Sequence, residues 1–302
     1  MNYLEKLRKS AEQTGSIACM GLDPVVEAMP EMHAKEGILG VPHYLEAIFN
    51  KMKSEGVVPG ALKLNQGFYV RHDKPRERDF PGSRALAQVM DLIGTIFPEV
   101  PTILDYKRGD IAKSSANYAV EGFECWKADA VTVSPYMGTD SVGPFSEYCN
   151  DDKGKGVYVL DRTSNKGAKD LQNLDVLIGE NISTPLYNIV ADKITEWAKD
   201  NPGVGAVIGA TSPEELSDLA KLLAAHPIPL LIPGVGGQGG KADDVIARLA
   251  DNGYDLSIVR INSSSGITHP WAKKKEAAPN DFVRICVEEL HKLNEQIDYK
   301  AA

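Results

Sequence analysis

The sequence is poor in the features that would place a chain in a membrane, in an oxidising compartment or on nucleic acid. No apolar run is long enough for a bilayer, and the amino terminus, MNYLEKLRKSAEQTG, scatters charges through an amphipathic pattern where a secretory signal needs a continuous apolar stretch. Cysteine is scarce: Cys19, Cys125, Cys149 and Cys286 lie far apart, with no Cys-x-x-Cys pair and no His at ligand spacing. That argues against a disulfide framework or a zinc site and reads as buried free thiols. Cations are outnumbered, 33 Lys and Arg against 42 Asp and Glu, for a formal charge of -9. The deficit works against non-specific binding to nucleic acid or anionic lipid, and an anionic small substrate would need a locally basic pocket. A soluble, cytoplasmic chain with no nucleic-acid or membrane partner is expected.

What is present is an alternation of two kinds of segment. Runs rich in Val, Ile and Leu recur at residues 16–23, 61–66, 101–107, 130–136, 156–163, 205–211, 229–236 and 256–264, separated by stretches of helical periodicity. This is the pattern of a parallel sheet covered by helices, and eight strands make a closed-barrel count. Helix starts are marked by Ser83, by Ser212-Pro213-Glu214-Glu215 and by Pro279-Asn280-Asp281, each offering a capping side chain or a first-turn proline. No repeat of fixed period, low-complexity tract or linker divides the 302 residues. The sequence predicts one domain over 1–302, a single (β/α)8 TIM barrel.

Nearly every apolar run finishes in polar or glycine-rich residues, and in a barrel those ends converge on one face. The most informative is ILDYKRGDIAKSS, where period-2 alternation puts Asp105 and Lys107 on the same side, with Asp110 in the following turn. Two carboxylates hold an ammonium protonated and fixed, which suits a general acid. An arbitrary Asp-x-Lys-x-x-Asp is more often a surface ion-pair cluster; placement at a strand's carboxyl end favours chemistry. Lys63, in ALKLNQ, is a cation closing an apolar strand, where an unpaired charge would cost several kcal/mol, so it is expected to meet the carboxylates of the third strand. Asp23 in MGLDP is similarly placed, a cap or turn-former being its structural alternative. After the seventh run, PGVGGQGG carries Gly234, Gly236 and Gly239, flexible enough for backbone N–H groups to approach a phosphate. The Gly-x-Gly-x-x-Gly spacing alone is weak, because a dinucleotide fold would want it after an early strand with an acidic residue ending the next.

Taken in order, GLDP, LKLNQGFY, LDYKRGDI, VSPYMG, LDRTSNKGAKDLQ, VIGATSPEEL and IPGVGGQGG resemble the longer-chain subgroup of orotidine 5'-phosphate decarboxylases across almost the whole chain. The resemblance implies decarboxylation of orotidine 5'-phosphate to uridine 5'-phosphate, the last step of de novo pyrimidine synthesis, with no metal or other cofactor. It implies Lys107 as proton donor, with Asp105, Lys63 and Asp110 completing the charged array, Asp110 reaching into the partner's site of a homodimer. It further implies Asp23, Lys63 and, from the partner loop, Ser114 on the ribose, Ser164 on the pyrimidine, and Gln238 between base and phosphate. The chain departs from the family after the eighth strand. Where the pattern is Asn-Ser-Ser-Arg-Gly-Ile, residues 262–267 read Asn-Ser-Ser-Ser-Gly-Ile, so Ser265 stands where the phosphate-binding arginine is expected. Arg260, or a lysine among Lys273, Lys274 and Lys275, is the candidate substitute. The rival readings are a Mg2+-dependent phosphosugar decarboxylase or epimerase, a Schiff-base aldolase using Lys107 or Lys63, and an impaired binder of a phosphate ligand.

Overall fold

The computed structural model describes residues 1–236 and 239–300. Eight parallel strands close on themselves: β1 (Ala18–Leu22), β2 (Ala61–Asn65), β3 (Thr102–Arg108), β4 (Ala130–Val133), β5 (Gly156–Arg162), β8 (Val204–Ile208), β9 (Leu230–Ile232) and β10 (Val259–Ser263). The gap in numbering is an antiparallel hairpin, β6 (Asp175–Gly179) and β7 (Ile182–Pro185), inserted after the fifth barrel strand. The eight expected runs are therefore the barrel, while the hairpin is an addition that the sequence pattern does not announce. Most residues of the barrel strands are apolar and buried on both faces, as parallel strands under helices must be, and each barrel strand is joined to the next by at least one helix. Among the described residues no helix is long and apolar enough to cross a membrane.

Three helix starts differ in detail from expectation. The helix Pro81–Ile96 begins before Ser83, whose amide and hydroxyl both donate to Asp73. Ser212 and Asp281 do occupy the N-cap positions of Pro213–Leu223 and Phe282–Ile297, but neither side chain accepts from a backbone amide of its own helix; Asp281 pairs instead with the Arg284 guanidinium. The Ser212 hydroxyl instead accepts from Arg162 Nη2 at 3.2 Å.

The amino-terminal helix, Tyr3–Thr14, packs against the strand starts, at the end opposite the polar loops. It is fixed by a capping box between Asn2 and Glu5 and by Tyr3, which meets Tyr158 hydroxyl to hydroxyl at 3.2 Å. This end also holds Arg260. Its guanidinium is fully buried and donates to the carbonyls of Gly60, Val259, Ser257 and Leu7 at 2.6–3.0 Å. Arg260 is thus not a phosphate ligand at the mouth. It stands at the second residue of β10, at the foot of the barrel, and ties the amino-terminal helix to β2 and β10. Arg260→Met should lower stability by about 3 kcal/mol or more, since several carbonyls would lose their donor at roughly 1–3 kcal/mol each. The measurement is the denaturant midpoint beside KM of the folded fraction; a raised KM with unchanged stability would return Arg260 to the substrate.

Candidate active site

The strand ends surround a cleft of about 640 Å³ lined from all sides of the barrel, including Asp23, Lys63, Asp105, Lys107, Ser164 and Ser265. Its floor is a chain of charges. Lys63, almost wholly buried, lies 2.9 Å from Asp105 Oδ2 and 3.5 Å from Asp23 Oδ1. Asp105 Oδ1 accepts from Lys107 Nζ at 2.5 Å and from the Thr132 hydroxyl at 2.8 Å. Burial by itself would neutralise both members of the buried pair. For Lys63 the carboxylates of Asp23 and Asp105 outweigh desolvation and hold its pKa above the usual lysine value. For Asp105 the two ammonium groups outweigh it in the other direction and hold the carboxyl well below the usual range. Lys107 differs from Lys63 in reach: 48% of its side chain remains exposed, toward the cleft.

The way Lys107 reaches Asp105 is not simple alternation. The β3–β4 register shifts between Leu104 and Arg108, and Lys107 takes a left-handed backbone, φ 46°. A lysine in that region is locally strained, and such conformations persist where the surroundings over-determine them. Here the Lys107 amide donates to Thr132 Oγ1 at 3.0 Å, while that hydroxyl donates to Asp105. Thr132 thereby fixes both catalytic candidates from the neighbouring strand.

The remaining expected residues fall into three groups. Ser164 lines the cleft on the loop after β5, held by Thr211, whose hydroxyl donates to the Ser164 carbonyl at 3.1 Å. That approach requires glycine at 209, where a Cβ would stand 2.7 Å from the Ser164 backbone. Ser265 and Gly234 also line it, and Gly236 lies beside Gly234 in the left-handed region, φ 76°. Asp110 and Ser114 do not line their own chain's cleft; Asp110 is half-buried in the turn after β3, its Oδ1 accepting from the Ile111 amide at 2.8 Å. Gln238 lies outside the described residues. Lys273, Lys274 and Lys275 are exposed and do not line the cleft either, so the proposed lysine substitutes are not in place. Sequence reasoning missed Thr132, Gln172 and His269. Gln172 clasps Thr163, accepting from its amide at 2.9 Å and donating to its hydroxyl at 2.9 Å, and so pins the loop that carries Ser164. Thr132 had a signal, a lone polar residue in the apolar run AVTV.

Among the described residues no group of three or more His, Cys, Asp or Glu is placed to hold a metal ion. The Asp105 oxygens that a divalent cation would need already accept from two lysines and a threonine.

Residues 68–278 match the model of the orotidine 5'-phosphate decarboxylase / HUMPS family. Orotidine 5'-phosphate decarboxylase of Aromatoleum aromaticum is 40% identical over 283 residues, 92% of this chain and 94% of that protein. Its counterpart in Cupriavidus metallidurans is 38% identical over 277 residues, 91% and 92% of the two chains. The structure of Leishmania donovani OMP decarboxylase superposes with a TM-score of 0.70 at 29% identity, covering 98% of this chain and 99% of that one.

Proposed function

Because the chain belongs to the orotidine 5'-phosphate decarboxylase family and decarboxylates orotidine 5'-phosphate, we propose that Lys107 is the acid that completes the reaction. The supporting observation is the continuous array Lys63–Asp105–Lys107 under the cleft. When the bond from C6 to the carboxylate breaks, CO2 leaves and the electron pair stays on C6 as a vinyl carbanion. No carbonyl is positioned to delocalise it, so stabilisation has to be electrostatic. A fixed ammonium costs no reorganisation as that charge develops, and it then supplies the proton to C6. Asp105 holds the Lys107 ammonium in place, Lys63 keeps Asp105 ionised, and Thr132 locks both. In this reading Asp23 and Lys63 take the ribose hydroxyls, Ser164 the pyrimidine, and Gly236, Gln238 and Ser265 the phosphate side.

The array also disfavours the aldolase reading: a Schiff base requires a neutral amine, and the raised pKa of Lys63 keeps it cationic. The reaction is read as needing no metal. Loss of orotidine 5'-phosphate, followed spectrophotometrically, should proceed at the same rate with and without EDTA; a rate abolished by EDTA and restored by Mg2+ would replace this reading with the metal-dependent one.

Residues 1–302 are read as a single cytoplasmic barrel domain serving pyrimidine synthesis, and as one half of a homodimer with shared sites. Ile111, next to Asp110 on the loop after β3, and Tyr136 and Met137, on the loop after β4, are large exposed apolar residues, and the two loops are joined by the Ser134 amide, which donates to the Arg108 carbonyl. Exposed apolar residues next to a carboxylate that meets no cation of its own chain are the surface expected of a subunit contact.

A further inference from the structure

A phosphate monoester carries close to two negative charges near neutral pH, and (β/α)8 barrels seat phosphates between the loops after the seventh and eighth strands. Here that rim offers Gly234 and Val235 after β9 and Ser263, Ser264, Ser265 and Gly266 from β10, none of them charged. Three basic side chains line the cleft among its described residues. Two, Lys63 and Lys107, are engaged by Asp105. The third is His269, one turn beyond Ser265, its amide donating to the Ser265 carbonyl at 3.1 Å.

The hydrogen bonds around His269 favour one tautomer. The Thr268 hydroxyl has one proton and gives it to the Ser264 carbonyl at 3.1 Å. Toward His269 Nδ1, 2.9 Å away, it can then only accept. Nδ1 therefore carries the proton of the neutral ring, and Nε2 has no hydrogen-bond partner among the described residues. Unprotonated, Nε2 presents a lone pair to a phosphate; with a second proton it becomes a charged donor. We propose that His269, protonated at Nε2, is the cationic ligand of the substrate phosphate, in place of the arginine that Ser265 replaces. The proposal rests on the nucleotide-decarboxylase reading above.

The groups facing the ring set the sign of the pH dependence. Asp23 approaches from the loop after β1. Tyr44, from the helix Val41–Glu55, donates its hydroxyl to the Thr268 carbonyl, and Tyr69, from the helix Gln66–Val70, lines the same small recess. Burial pushes both phenols up, so they stay neutral. Burial lowers the pKa of His269 as well, against the pull of Asp23. The free ring is thus mostly neutral at pH 7, and binding a phosphate draws a proton in. Affinity for the nucleotide should rise as pH falls from 8.5 toward 6.5, until the second ionisation of the phosphate, near pH 6, begins to oppose it.

The test is calorimetric binding of uridine 5'-phosphate and of uridine at pH 6.5 and 8.5, in buffers of different ionisation heat, with turnover of orotidine 5'-phosphate measured in parallel. The wild type should take up a proton with the nucleotide and bind it several-fold more tightly at pH 6.5. His269→Gln, which keeps an amide donor but no charge, should lose about tenfold in nucleotide affinity at pH 6.5, show no proton uptake, and bind uridine unchanged. Ser265→Arg leaves His269 in place, and should strengthen nucleotide binding and flatten its pH dependence. Combined with His269→Gln it should restore the lost affinity. Equal affinity of His269→Gln and wild type at pH 6.5, or an equal loss for uridine and its phosphate, would overturn the assignment. If His269→Gln does not fold, wild-type binding without proton uptake would overturn it alone. Proton-linked nucleotide binding without turnover would instead remove the decarboxylase reading.

Discussion

Lys107→Ala should abolish turnover while the barrel stays folded. In the mechanism proposed above, the group removed has two roles: it stabilises charge developing at C6, and it donates the proton that quenches it. Electrostatic stabilisation of this kind is worth roughly 10² to 10³ in rate and general acid catalysis about 10² to 10⁴, so a loss of several orders of magnitude in kcat is expected. The fold has little reason to notice. Nearly half of the Lys107 side chain is exposed, and Asp105 keeps both its bond to Lys63 and its bond to Thr132. The left-handed backbone at residue 107 disfavours alanine and lysine alike, so its strain is unchanged by the substitution. Paired measurement of kcat and of the unfolding midpoint separates the two effects. A variant keeping more than about a tenth of wild-type kcat would defeat the assignment, because that loss is only about 1.4 kcal/mol of transition-state stabilisation.

The parts of this arrangement that were legible in the sequence are those where a residue contradicts its surroundings. A lysine inside ALKLN or an aspartate inside ILDYK has no place in an apolar strand unless its partner is near, so the meeting of Lys63 with Asp105 could be anticipated from burial cost alone. What could not be read is whatever depends on a neighbour distant in sequence or on a local turn. The end of the barrel at which Arg260 lies depends on where its strand begins: Leu256–Ile258 is a short 3-10 turn, β10 starts at Val259, and the guanidinium therefore sits at the foot of the barrel. Nothing in YKRGD marks residue 107 as left-handed, since lysine has no preference for that conformation. The β6–β7 hairpin escaped for a different reason. Leu177, Ile178 and Ile182 are exposed, so it lacks the one buried face from which a strand pattern is recognised. His269 was overlooked because its meaning lies in the serine four residues before it and in the absence of another free cation among the described cleft residues.

The second large effect concerns Asp110, and it should appear only between chains. Asp110 follows β3 by two residues, yet it does not line its own cleft, whereas Asp105 and Lys107 of the same segment do. If it completes the neighbour's array, Asp110→Ala removes a carboxylate from the partner's site and should cost several orders of magnitude in kcat, as Lys107→Ala does. The two variants should nevertheless rescue one another. In a hybrid dimer the Asp110→Ala chain retains Lys107 and receives Asp110 from its Lys107→Ala neighbour, giving one intact site and one doubly damaged one. Random exchange of equal amounts makes half of the dimers hybrid, so about a quarter of wild-type activity should return. The geometry supplies the control. Lys107 and Asp105 touch within one chain, 2.5 Å apart, so mixing Lys107→Ala with Asp105→Ala should restore nothing. Subunit exchange, verified by mass-tagged chains, with no activity recovered from the Lys107→Ala and Asp110→Ala pair would mean that each barrel works alone. Asp110 would then be only the cap of its own turn, as its bond to the Ile111 amide already allows.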